Sequence, residues 1–204
     1  MGLFAKFVEK VSDHPVLFIF IRGILENDFK AIRSVIRREL RPGKGLRSLD
    51  LGCGPGAFAD VFLGDDYFGV DMNARYIDHA RRTRKGTFLV GDARKVDLPD
   101  RRFDQILIFG LLHHLSDEDV RAVLRESTRL LAPGGKILAI EDIPAISKLN
   151  LIGHLIHNVE NGEHIRPAED YRRLYEEDGR RIEREEVLQS GICDYYAAVL
   201  THRN

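Results

Sequence analysis

In the first fifth of the chain, apolar residues recur at three- and four-residue steps: Leu17, Ile21, Ile24, Leu25, Phe29, Ile32, Ile36 and Leu40. That spacing predicts one long amphipathic helix. Ser12-Asp13-His14-Pro15 would open it, because a capping side chain there precedes a proline whose missing N–H costs nothing in a first turn. Arg41-Pro42-Gly43 would stop it. A shorter helical stripe, Leu3, Phe4, Phe7, Val8 and Val11, comes before it. From Leu46 the pattern changes to short apolar runs at 47–51, 67–70, 87–90, 103–109 and 136–141, alternating with amphipathic stretches. Such alternation implies right-handed crossovers and a parallel sheet, an α/β fold. Ser116 to Asp119 caps the helix before the fifth strand, and Pro133-Gly134-Gly135 reads as the turn into that strand. Residues 144–179 read as a helical insertion, followed by two final strands at 181–188 and 192–201 joined through Gly191. The expected organisation is an amino-terminal helical segment, 1–44, serving as cap or decoration, and an α/β domain at 45–204.

Composition narrows the function classes. The 204 residues carry 31 Lys plus Arg against 32 Asp plus Glu, a formal net charge of -1, which gives no long-range positive field for a nonspecific nucleic-acid binder. Two cysteines, Cys53 and Cys193, lie far apart without metal-ligand spacing, so a reducing, cytoplasmic setting is expected. The apolar run Val16 to Ile21 is cut short by Arg22, Glu26 and Asp28, well below the roughly 20 residues that span a bilayer. Peripheral membrane contact through residues 1–25 stays open, as the amphipathic stripe could lie on a lipid surface.

Chemistry concentrates at the ends of the first three strands. Asp50-Leu51-Gly52-Cys53-Gly54-Pro55-Gly56 closes the first, where glycines let backbone approach a ligand. Taken alone, Gly52-x-Gly54-x-x-Ala57 also satisfies a dinucleotide fingerprint, so an NAD-dependent oxidoreductase is one reading. Asp71 closes the second strand, where a carboxylate can accept from both hydroxyls of a ribose. Asp92 closes the third, where it can meet an adenine amino group. Met72 and Ala93 adjoin these acids.

With these residues in this order, the sequence resembles the class I S-adenosylmethionine-dependent methyltransferases. The first motif is Asp50 through Gly56, the ribose-binding acid corresponds to Asp71, and the third-strand acid corresponds to Asp92. Phe103-Asp104, Leu111-Leu112-His113-His114-Leu115 and Leu131-Ala132-Pro133-Gly134-Gly135 are also typical. The resemblance, strongest toward small-molecule enzymes such as quinone-biosynthesis methyltransferases, implies a Rossmann-like seven-stranded sheet of order 3-2-1-4-5-7-6 with helices on both faces. It also implies S-adenosylmethionine as cofactor, bound by Asp50, Gly52, Cys53, Gly54, Gly56, Asp71, Met72, Asp92 and Ala93. Phe109-Gly110-Leu111-Leu112 stands where nucleic-acid amino-methyltransferases carry Asn/Asp-Pro-Pro-aromatic, which argues against an adenine amino group as acceptor.

The acceptor side is less sharply written. His113 and His114 follow the fourth strand, on the sheet edge where such folds bind ligands, and either imidazole could take a proton from an acceptor hydroxyl. Phe18, His154, His157 and His164, with the surplus apolar residues around them, are candidates for a lid over an apolar or lipid-like acceptor. His154 and His157 have helical spacing for two metal ligands, but nothing completes a set, so no metal is expected. The thiol of Cys53 is assigned no chemistry. A cofactor-binding protein that regulates without catalysis is the remaining alternative.

Overall fold

In the computed structural model, the residues described are 23–146 and 164–202. Among these residues, seven strands and four helices of ten residues or more follow one another: α1 (Lys30–Leu40), β1 (Arg47–Leu51), β2 (Asp66–Asp71), α2 (Ala74–Thr83), β3 (Thr87–Val90), β4 (Phe103–Phe109), α3 (Asp117–Leu130), β5 (Leu131–Ile143), α4 (Ala168–Glu177), β6 (Arg180–Ser190) and β7 (Cys193–His202). The strands form one sheet of order β3-β2-β1-β4-β5-β7-β6, in which β7 runs antiparallel to both neighbours and the other adjacent pairs are parallel. This is the Rossmann-like α/β architecture that the resemblance implies.

Side-chain alternation divides the core into two layers. Leu49, Leu51, Ile106, Ile108, Ile137 and Ala139 face α3 and α4, where Val120, Val123, Leu124, Tyr171 and Leu174 meet them. Leu107, Leu138 and Ile140 face the opposite way, toward Ile32, Val35, Ile36 and Leu40 of α1 and Ile77 and Ala80 of α2. A strand buried on both faces has no polar side to show, and the middle of β4, Ile106–Ile108, is accordingly apolar, while the polar residues that β1 buries, Ser48 and Asp50, each make side-chain hydrogen bonds. The local helix signals act where expected: the Ser116 hydroxyl accepts from the Asp119 N–H, and Asn73 caps α2 through the N–H groups of Arg75 and Tyr76.

Two expected elements take a different form. The long first helix is not continuous over its described part: residues 23–25 are helical, then Asn27, Asp28 and Phe29 adopt φ of 53°, 55° and 54° before α1 begins. Asn and Asp tolerate this left-handed region better than most residues. Tertiary contacts hold the break. Glu26 is fully buried, the Tyr195 hydroxyl donates to its carboxylate, the Ser190 hydroxyl donates to its carbonyl at 2.9 Å, and the Ile192 N–H donates to the Leu25 carbonyl at 3.2 Å. Gly191, at φ 59°, admits this docking, since a Cβ there would stand 1.9 Å from the Leu25 carbonyl oxygen. Pro133-Gly134-Gly135, expected as a turn, lies within a bulged start of β5, where the register against β4 jumps between Phe103 and Gln105. Residues 1–22 and 147–163, about half of the expected amino-terminal cap and about half of the expected insertion, lie outside the described residues.

Candidate cofactor and acceptor site

The carboxyl ends of β1, β2 and β3 bring Asp50, the glycine loop, Asp71 and Asp92 to one edge of the sheet. The loop is tied to β2 by its own backbone: the N–H groups of Gly52 and Cys53 both donate to the Val70 carbonyl, at 2.8 and 3.0 Å. The next N–H, of Gly54, donates to Oδ2 of Asp71 at 2.8 Å, while Oδ1 accepts from Asn73 at 2.8 Å. Asp71 thus links the glycine loop to the start of α2, and each carboxylate oxygen keeps acceptor capacity for a ligand hydroxyl. Burial pushes its pKa up, and the two backbone N–H groups oppose that shift.

Gly52 turns at φ 77°, and a Cβ there would stand 3.1 Å from Cβ and Cδ1 of Leu111. Glycine therefore keeps loop and post-β4 segment in close apposition. Asp50 lies deeper, accepting from the Tyr67 hydroxyl at 2.8 Å. Burial raises its pKa to about 7, against the Tyr67 hydrogen bond. Cys53 is buried with its sulfur toward β2, where a Cβ on Gly69 would come within 2.7 Å of it. Desolvation, then the nearby Asp50 and Asp71, holds this thiol well above its ordinary pKa, so it is no nucleophile.

The apolar neighbours differ in exposure. Met72 is 73% exposed and Val90 is 51% exposed, an accessible platform at the ends of β2 and β3 in a protein that buries most of its large apolar side chains. Ala93 packs against the core. Asp92 is held by Arg94, whose Nε lies 3.0 Å from both carboxylate oxygens, whose Nη2 donates to Oδ2 at 2.7 Å and whose Nη1 reaches Asp119 at 2.8 Å. The hydrogen bonds from Arg94 keep the Asp92 carboxylate ionised below its ordinary range.

The two histidines part company. His113 is 4% exposed, with Nδ1 3.0 Å from Oε2 of Glu141 and 3.8 Å from Oδ2 of Asp142. A carboxylate only accepts, so it favours the tautomer with the proton on Nδ1. His114 is exposed, its ring centroid 4.0 Å from that of His113. His164 is exposed too, and its N–H donates to the His113 carbonyl at 3.1 Å. Phe18, His154 and His157 lie outside the described residues. Among the described residues, no cluster of three or more His, Cys, Asp or Glu is arranged to hold a metal ion.

Sequence reading missed Glu141, Arg166 and Arg94. The Glu141 carboxylate accepts from the N–H groups of Leu111, Leu112 and His113 at 3.1, 2.9 and 3.3 Å. An acid that ends the apolar run Ile137–Ile140 of the fifth strand was the one signal available for it. Arg166 had none, since its partners lie elsewhere in the chain.

Residues 49–135 match the family model described as a methyltransferase domain. With the sheet order above, that segment is a methyltransferase domain of the class I, S-adenosylmethionine-dependent kind, and the expected cofactor of the fold is S-adenosylmethionine. Among curated relatives, the chain is 34% identical over 108 residues to the fatty-acid O-methyltransferase of Mycolicibacterium smegmatis, covering 50% of this chain and 39% of that protein. It is 30% identical over 137 residues to the ubiquinone biosynthesis O-methyltransferase of Pelagibacter ubique, covering 64% of this chain and 54% of the relative. In both cases about half or less of the relative is spanned. A SAM-dependent methyltransferase from Archaeoglobus fulgidus has the same fold at 20% identity, with a TM-score of 0.70 over 90% of this chain and 99% of that one.

Proposed function

We propose that the protein transfers a methyl group from S-adenosylmethionine to a small, apolar or lipid-like acceptor. The observation that carries this reading is the junction of Asp71 with the glycine loop. A carboxylate fixed by two backbone N–H groups keeps lone pairs for two ribose hydroxyls, beside a loop that a side chain at Gly52 would close. The N–H groups of Gly52, Cys53 and Gly54 are already donated within the protein, so this loop meets the ammonium of a bound amino acid through carbonyl oxygens. Met72 offers its exposed side chain to the adenine face, and Asp92 accepts from the adenine amino group. Asp50 supports the loop from beneath through Tyr67.

When bound, S-adenosylmethionine supplies a sulfonium methyl that is already electrophilic. The chain's own residues then hold the acceptor atom in line, exclude water and, for a hydroxyl acceptor, remove its proton. We assign the proton-accepting role to exposed His114 and the supporting role to His113, whose Nδ1 is engaged by Glu141. The acceptor class follows the likeness to the fatty-acid and quinone-pathway relatives and the apolar residues of the two segments outside the described ones. No helix among the described residues is long and apolar enough to cross a membrane; the amphipathic spacing of residues 1–25 is the sequence feature that supports a peripheral contact with a lipid surface. Cys53 and Cys193 are both free thiols.

Calorimetry with S-adenosylmethionine, S-adenosylhomocysteine and NAD tests the cofactor. Binding of both adenosyl ligands and none of NAD is expected, and the reverse would favour an oxidoreductase. Mass spectrometry of quinol and fatty-acid pools after incubation with labelled cofactor then identifies the product. Tight cofactor binding with no methylated product would favour the regulatory alternative.

A further inference from the structure

The turn that carries His113 and His114 is a single 3-10 turn, Leu112–His114, with only two internal backbone bonds, at 3.2 Å from the His114 N–H to the Leu111 carbonyl and 3.1 Å from Leu115 to Leu112. So short a turn does not hold its own shape. Its polar groups are gripped from outside by two buried ions of opposite charge. Glu141 takes the N–H groups of Leu111, Leu112 and His113. Arg166, 8% exposed, takes the carbonyls: one terminal nitrogen donates to Leu112 at 3.0 Å and to His164 at 2.9 Å, and the other donates to Leu115 at 2.7 Å. The carbonyls it holds in the turn flank the histidine pair on either side. Asp117, at the start of α3, accepts from the same guanidinium at 2.8 and 3.0 Å and anchors it.

We infer that Arg166 is a positioning residue for methyl transfer: its guanidinium, opposed by Glu141, sets the place of the His113-His114 turn and ties it to His164. This rests on the methyltransferase reading for the reaction it serves. The clamp itself is a property of the chain. A planar fork suits several carbonyls at fixed angles, which a lysine ammonium does not reproduce. The pairing also suits the turn's polarity, since a cation meets C=O groups and an anion meets N–H groups.

Arg166→Ala, Arg166→Lys and Asp117→Asn test this in the full-length protein. Amide hydrogen exchange of residues 111–115 should accelerate about tenfold or more in Arg166→Ala while amides of β1 and β4 keep their protection. Affinity for S-adenosylhomocysteine should stay within about threefold, and kcat for methyl transfer to catechol or oleate should fall by about thirtyfold or more with little change in cofactor KM. Arg166→Lys should recover part of both losses. Asp117→Asn, at a half-exposed carboxylate, should fold and move both readouts the same way by a smaller factor; it decides the matter if Arg166→Ala does not fold. Unchanged exchange at 111–115, or equal acceleration at every amide, would overturn the clamp. Faster local exchange with unchanged kcat would overturn its role in positioning. If the wild-type protein methylates neither probe, the proposed acceptor class fails, while the exchange measurement still decides the clamp.

Discussion

The cofactor half and the acceptor half of this sheet edge are built by different means. At the ends of β1 and β2 the ligand-facing groups are largely backbone, fixed by glycines and by a carboxylate 17 residues from the N–H it binds. At the ends of β4 and β5, placement depends on buried ions that reach across the chain: Glu141 to Leu112 over 29 residues, Arg166 to Leu112 over 54, and Glu26 to Tyr195 over 169. The first arrangement is rigid because few atoms are free to move. The second is rigid only while every partner is present, which leaves room for different acceptors on one scaffold.

The contrast is sharpest in Glu141→Ala. Removing the acceptor for three backbone N–H groups in a buried turn should cost about 3–5 kcal/mol, measured by urea denaturation. Glu141→Gln, which keeps one carbonyl oxygen, should cost clearly less; equal losses in the two variants would mean that the hydrogen bonds are not what the site needs. On the cofactor side, Asp71→Ala should weaken S-adenosylhomocysteine binding by about 1.5–3 kcal/mol in calorimetry while the fold survives. Unchanged affinity would remove Asp71 from the ribose site.

Asp50 probes what lies beneath the loop. Its pKa is raised from 3.8 to about 7 by burial, so between those values the folded state keeps a proton that the unfolded chain has lost. Stability from this group therefore falls as pH rises through that window and stays lower above it. Asp50→Asn should flatten the slope and gain about 1–2 kcal/mol at alkaline pH, less than the full shift implies because the bond from Tyr67 weakens with the lost charge. A pH-stability profile parallel to that of the wild type would refute this account. The smallest effect belongs to Met72→Ala, which should leave thermal stability unchanged and reduce cofactor affinity by about 1 kcal/mol, the worth of the apolar area it offers.

The same division explains what could be read from the sequence. The first five strands in chain order were legible because each is a short run with an apolar core ended by glycine, acid or a polar loop, and the glycine loop, Asp71 and Asp92 sit at the ends of the first three. Local chemistry determines local geometry there. The break at Glu26–Phe29 was hidden because the apolar spacing continues through it; only the docking of Leu25 and Glu26 on the β6–β7 turn reveals it. The separate environments of His113 and His114 were equally hidden, since adjacent residues differ by what Glu141 and Arg166 do to the turn. Arg166 itself reads as an ordinary arginine before a proline. Its partners are set by topology rather than by any spacing along the chain.

The outermost strands of the sheet bear on how the protein behaves at high concentration. One edge is β3, only four residues long, and the other is β6, eleven residues that would template pairing with a second chain if they were flat and apolar. Instead β6 carries Arg181, Glu183, Arg184, Glu185 and Glu186 in its middle and shifts register between Ile182 and Arg184. The charges and the kink make edge-to-edge stacking unfavourable, so replacing this acidic and basic run with threonine and valine should convert a well-behaved sheet into one that aggregates through its margin, leaving the ligand edge untouched.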